Sequence, residues 1–174
     1  MAALSLFAQK GYHSTSVSAI AKKAGVSKGL IYNYYVSKED LLKGLIVRVM
    51  SEGHQFYEVI QSKDLKPNEA LRQLFLVFKR NLLEKKDFWK LAISLSIQEE
   101  LGRFEFIRKM MGKNIDIFLN AFVSLLKKKG VKNAQEEALV IGALFDGISY
   151  QYIIAGDVYP LEKMIKILIK RYCS

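Results

Sequence analysis

Catalysis would need a nucleophile with its base, a metal-spaced ligand set or a glycine-rich phosphate loop, and the sequence offers none of these. His13 and His54 stand far apart, without a partner at metal-ligand spacing. The acidic pairs Glu99–Glu100 and Glu136–Glu137 read as helix surface. The chemistry that the residue types do support is anion binding at the N-terminal end. Met1 to Lys38 carries Lys10, Lys22, Lys23, Lys28 and Lys38, and the first carboxylate is Glu39. From Val131 to Ser174 five basic and five acidic residues cancel, so the net charge of +10 is unevenly placed. A positive end is what phosphate binding requires. It would equally suit an anionic membrane or an acidic protein, and charge alone does not choose.

The elements that must position these residues read as helices throughout. A chain of 174 residues, 51% hydrophobic and 25% charged, has enough apolar material for one compact unit or a small module on a larger helical body. The only prolines are Pro67 and Pro160, and no strand-like alternation appears. One cysteine, Cys173, makes no internal disulfide, so an oxidising compartment is not required. Gln9 and Lys10 interrupt the first apolar stretch too early for a signal peptide. Leu139–Gly156 is the most apolar stretch, but it contains Asp146, Ser149 and Gln151. A membrane span needs about 20 mostly apolar residues, so a buried helix is expected there. The expected protein is soluble and cytoplasmic, with no membrane partner.

Leu4, Phe7 and Ala8 give the first helix its apolar face, and Gly11 stops it. Ser16 caps a second helix over Val17–Lys23, Gly25 turns the chain, and Ser27 caps a third reaching Tyr34 or Tyr35. Ser37 starts a fourth, with Asp40 completing an approximate capping box, and Leu42, Ile46, Val49, Phe56 and Ile60 recur along it. Pro67 opens a fifth helix, a sixth runs from about Asp87 to Leu101, and a seventh ends at Lys127–Lys129 before Gly130. Asn133 with Glu136 signals an eighth that Gly156 ends, and a ninth begins near Pro160. The only seam lies in the fourth helix near Leu45, dividing the chain into 1–45 and 46–174.

Two short helices joined at a tight turn, the second with a polar outer face, make a helix-turn-helix. Ala21 is small where two helices approach, and Gly25 follows four residues later. Ile20, Val26 and Ile31 are expected inside. Ser27, Lys28, Gly29, Tyr32, Asn33 and Tyr34 remain outside. The run GYHSTSVSAIAKKAGVSKGLIYNYYVSKEDLL, from Gly11 to Leu42, resembles the DNA-binding domain of the TetR family of bacterial transcription regulators. Beyond Leu45 only helix order and lengths are similar.

The resemblance implies roles residue by residue. Thr15 and Ser16 would meet backbone phosphates at the start of the second helix. Ser27 and Lys28 would do so at the start of the recognition helix, and Gly29 would let that helix approach the groove. Tyr32 and Tyr34 match positions that touch phosphates or base edges, and Asn33 could pair with adenine. Lys38 matches a phosphate-clamping lysine, and Tyr35 is expected in the core. Lys22 and Lys23 suit a solvated surface as well as DNA. Family members carry a fuller first helix, often behind a short basic arm; this sequence starts inside that position, so a shortened first helix is expected.

The eighth helix is apolar nearly all round and the ninth has lysines on one face only. The resemblance implies that they form a four-helix bundle with a second subunit, through about 134–155 and 160–172. Phe75, Phe78, Trp89, Met110, Met111, Phe118 and Phe122 could line a pocket, although such residues are more often simply core. Gln98, Asn114, Asp146, Tyr150 and Gln151 are polar groups on otherwise apolar helices, as a ligand site requires. The expected protein is thus an all-α homodimer that binds double-stranded operator DNA. It would be a repressor released from a palindromic operator by a small apolar or amphipathic effector, with no cofactor, metal or catalysis. The alternatives are a helical ligand carrier or adaptor without operator binding, and an all-helical enzyme using the apolar cavity.

Overall fold

The computed structural model describes residues 1–62, 65–97 and 105–174, with side chains at these except 52–62, 96, 97, 107, 108, 110, 111 and 114. Among the described residues the chain is all-helical: α1 (Ala2–Lys10), α2 (Val17–Ala24), α3 (Lys28–Tyr34), α4 (Lys38–Ser62), α5 (Pro67–Glu84), α6 (Lys86–Ile97), α7 (Glu105–Lys128), α8 (Ala134–Ala155) and α9 (Leu161–Tyr172). A short 3-10 turn over Gly156–Val158 precedes α9.

The local punctuation follows the residue types. Ser16 and Ser27 accept from the N–H groups of Ala19 and Leu30 at 3.1 and 3.0 Å, satisfying donors that a helix start leaves orphaned. Gly25 takes φ 69° and ψ 28°, and the N–H groups of Gly25 and Val26 return to the carbonyls of Lys22 and Ala21. Ser37 accepts from the Asp40 N–H at 3.0 Å while the Asp40 carboxylate accepts from the Val36 N–H at 3.1 Å. That reciprocal pair is the capping box read from sequence, displaced by one residue on its return leg. Asn133 differs: it precedes α8 without any side-chain cap bond.

Packing divides the chain into two units, Met1–Ser51 with Asp87–Lys109, and Glu52–Lys86 with Met110–Ser174. This division breaks the fourth helix at Ser51/Glu52 and groups nearly all of α6 with the N-terminal helices. Sequence periodicity could not see this, because α6 is recruited by tertiary contact and not by continuity. The first unit's core holds Leu4, Phe7, Tyr12, Val17, Ile20, Ala21, Leu42, Ile46, Leu91 and Leu95. Val26, expected inside, is exposed.

In the second unit, Leu71, Leu74, Phe75, Phe78 and Leu82 of α5 pack with α9, whose buried stripe is Leu161, Ile165, Leu168 and Tyr172. Five phenylalanines meet there. Phe78 and Phe145 stack at 3.7 Å between centroids, and Phe75, Phe118 and Phe122 complete the cluster at 4.8 to 5.8 Å. Such rings contribute about 0.5–1.5 kcal/mol per pair beyond their burial.

The eighth helix departs from its expected burial. Only 33% of its most apolar window is buried within the chain, although Ala134–Val158 is long and apolar enough to cross a membrane. Ile141, Phe145, Ile148 and Tyr152 point into the unit, while Leu139 (60%) and Ile154 (68%) are exposed, with Val140, Ala143, Gly147 and Tyr150 on the same side. A helix apolar nearly all round needs cover on several sides, and a single chain covers one.

Candidate nucleic-acid interface

The third helix has no buried residue at all. Helical spacing sorts its faces. Ile31, half-buried, lies one turn before Tyr35, so these two mark the inner side. Gly29 and Asn33 lie opposite, flanked by Lys28 and Tyr32 on one side and by Leu30 (41% exposed) and Tyr34 (76%) on the other. The Lys28 ammonium is 5.7 Å from the centroid of the Tyr32 ring, so that flank ends in one cationic edge. A Cβ built on Gly29 would meet only the Ser27 hydroxyl, at 3.9 Å. Nothing in the chain therefore requires glycine at that position; the space it leaves opens outward, beside Asn33.

Behind this surface the helix is held by its ends. Ser27 caps it, and at the far end the Tyr35 ring lies across Gly44 of α4 so closely that a Cβ there would sit 2.8 Å from Tyr35 Cε1. On the neighbouring turn of α4, the Lys43 ammonium pairs with Glu39 at 3.1 Å and lies 5.2 Å from the ring centroid of Phe106. In the α1–α2 pair, Lys23 donates to the Ser5 hydroxyl at 2.9 Å.

Of the expected contact residues, the structure brings Ser27, Lys28, Gly29, Tyr32, Asn33 and Tyr34 onto one exposed helix, and Ser16 is exposed at the start of α2. Two others have different roles. Thr15 is 1% exposed, and its hydroxyl lies 2.8 Å from the Gly11 carbonyl and 3.2 Å from that of Leu6. Its side chain anchors α1 to the loop and is not available to a phosphate. Lys38 sets its ammonium on the carbonyls of Tyr12, His13 and Thr15, at 2.9, 3.2 and 3.1 Å. An ammonium has three donors, and all three have partners inside the fold. Leu30 was missed. Its type reads as core, and only the position of Ile31 and Tyr35 one step away shows that it must face outward.

The expected ligand residues divide. Phe75, Phe78, Phe118 and Phe122 do come together, joined by Phe145. Trp89 belongs to the N-terminal unit, its ring edge-on to Phe88. Asp146 and Tyr150 are exposed on α8, away from the face that carries Phe145, and so do not line that cluster. Gln98 lies outside the described residues, as do the side chains of Met110, Met111 and Asn114. Missed altogether was Ser149, 2% exposed among the inward residues of α8.

Comparison with known proteins fits this arrangement. Residues 1–45 match the model of the bacterial regulatory proteins of the tetR family. The chain belongs to the TetR family. It is 33% identical over 176 residues to the HTH-type transcriptional regulator YuxN of Bacillus subtilis, across 97% of this chain and 58% of that protein. It is 30% identical over 134 residues to the fatty acid metabolism regulator protein of Bacillus subtilis, across 77% of this chain and 66% of that protein. It thus spans roughly three-fifths to two-thirds of the length of these relatives. The fold is similar to the crystal structure of the transcriptional regulator FadR from Bacillus subtilis in complex with stearoyl-CoA. The TM-score is 0.83, with 22% identity, covering 99% of this chain and 95% of that one.

Proposed function

We propose that this TetR-family chain is a ligand-responsive transcription regulator of the bacterial cytoplasm, a homodimeric repressor released from a palindromic operator by a long-chain acyl effector. The observation that carries the DNA-binding part is α3, a helix whose every residue is at least partly exposed, with Gly29 and Asn33 central on its outer side. A helix kept out of the core yet fixed at both ends is shaped for a groove. Asn33 would read a base edge, Leu30 would meet a thymine methyl, and Lys28, Tyr32, Tyr34, Ser16 and Ser27 would meet the backbone.

Two half-sites need two copies. The exposed stripe Leu139, Ala143, Tyr150 and Ile154 on α8, with Ile167 on α9, supports self-association through the outer faces of 134–155 and 160–172. The opposite face of α8 is packed into its own unit, so lipid could not surround the helix without dismantling that packing.

The phenylalanine cluster supports an apolar effector, and the relative named a fatty acid metabolism regulator supports an acyl chain. Release requires the effector to favour the DNA-incompetent arrangement; a hundredfold preference is worth about 2.7 kcal/mol. The test is selection of bound duplexes from a random pool, followed by titration of the selected site with stearoyl-CoA. A palindromic consensus, lost from the protein as ligand is added, is expected. Equal affinity for scrambled DNA would remove the operator reading, and unchanged affinity with ligand would remove the switch.

A further inference from the structure

Ser149 carries the one buried side-chain polar atom among the described residues that has no hydrogen-bond partner. Its hydroxyl does not even return to the carbonyl one turn back, the usual resort of a helical serine. Leaving such a group unpaired in an apolar interior costs about 1–3 kcal/mol, so it calls for an explanation. Its position suggests one. On α8, Ser149 lies one turn beyond Phe145, a member of the five-ring cluster, and one turn before Tyr152, which is also buried. Over the Tyr152 ring stands the Lys86 ammonium, 5.2 Å from the centroid. Along this side of α8 the second unit therefore places apolar rings, an unused O–H donor and a cation in succession.

We propose that Ser149 donates its hydroxyl proton to the head oxygen of an acyl ligand whose chain lies on the phenylalanine cluster, with the Lys86 charge beside that head. The inference rests on the effector reading above and adds the residue that recognises the acyl head. Free fatty acid and acyl thioester share this head chemistry. They differ in charge at the carbonyl carbon, where only the acid carries a carboxylate for Lys86.

The experiment compares the full chain with Ser149→Ala and Lys86→Ala, titrating stearate, stearoyl-CoA and octadecane and recording thermal unfolding without ligand. Ser149→Ala is expected to melt about 2 °C higher than the parent when empty, because the unpaired group is gone. It should bind both oxygen-headed ligands about tenfold more weakly, which is about 1.4 kcal/mol, and octadecane equally well. Lys86→Ala should weaken stearate, whose carboxylate it would face, more than stearoyl-CoA, and an equal effect on the two would overturn the placing of Lys86 beside the head. Parent protein that binds oxygen-headed ligands with an affinity unchanged by Ser149→Ala would overturn the assignment of Ser149 alone. Parent protein that binds none of the three would overturn the effector reading and this inference with it.

Discussion

Lys38 holds Tyr12 twice: its ammonium donates to the Tyr12 carbonyl oxygen at 2.9 Å and stands 4.3 Å from the centroid of the same residue's ring. The lysine begins α4, while Tyr12 lies in the loop that leads to α2. With the further bonds to His13 and Thr15, one side chain collects three carbonyls of the loop between α1 and α2, adding to the bond that the Tyr12 carbonyl already accepts from the Thr15 N–H.

Lys38→Ala is therefore expected to act on stability first. Hydrogen bonds to a charged group are worth about 1.5–3 kcal/mol, so a loss of about 2 kcal/mol and a lower Tm should follow. Operator affinity should drop, with the slope of log affinity against log salt almost unchanged. Lys28→Ala should instead leave Tm nearly alone and flatten that slope by about one counterion. Titrations at four or five salt concentrations tell the two apart. A slope change at Lys38 as large as that at Lys28 would return Lys38 to the role of phosphate clamp.

Asn33 and Leu30 make a second pair for comparison, since Asn33 lies one turn beyond Gly29 on the outward side of α3 and Leu30 flanks that side. Asn33→Ala should cost about 1–3 kcal/mol at one position of each half-site and little elsewhere. Leu30→Ser should relax preference at a different position, one where thymine is favoured. Binding to a panel of single-base variants checks both. Uniform weakening across the panel would place the two residues on the backbone or in the fold.

Much of this surface was legible from residue types. Ser16, Gly25, Ser27, Ser37 and Asp40 mark helix boundaries because capping and left-handed turns are local chemistry, and the structure uses each of them. Roles that depend on what lies across the fold were not legible. Thr15 and Lys38 look like surface groups until Gly11, Leu6 and Tyr12 are brought to them. Asp146 and Tyr150 look like pocket residues until α8 is oriented. Ser149, one residue before Tyr150, faces the other way, and only the resulting burial shows its hydroxyl to be unpaired.

The Gly44–Tyr35 contact predicts a coupling between α4 and the recognition helix. In an ordinary exposed helix, Gly→Ala stabilises by up to about 1 kcal/mol. Here the added methyl would meet the Tyr35 ring at 2.8 Å, so Gly44→Ala should fail to stabilise, and should weaken operator binding about tenfold by displacing the end of α3. Tyr35→Leu should reduce that penalty, giving a double-mutant cycle with a coupling of at least about 0.5 kcal/mol. Additive effects would mean that the ring yields freely and holds nothing.

On α8, Ile154→Glu places a charge in the exposed apolar stripe without touching the inward face. The helical signal should persist, sedimentation should report a monomer at micromolar concentration, and affinity for a two-half-site duplex should fall by about a hundredfold as avidity is lost. A dimer of unchanged strength would move the interface elsewhere on the chain.

Asp146 offers a pH test of the same helix. Burial pushes its carboxyl above the ordinary 3.8, although the residue still reaches solvent. The folded protein therefore holds this proton more tightly than the unfolded chain does. The group costs nothing below 3.8, where both states are protonated, and its full penalty is present once pH exceeds the raised folded value. Asp146→Asn, which cannot ionise, should consequently be more stable than the parent at pH 7. The advantage should shrink as pH falls and vanish below about pH 3.8. Urea unfolding across that range would measure it. An advantage that persisted at pH 3 would show that the carboxylate's charge was not the cause, and a less stable variant at pH 7 would mean that Asp146 is engaged by a favourable partner, such as a lysine across the dimer.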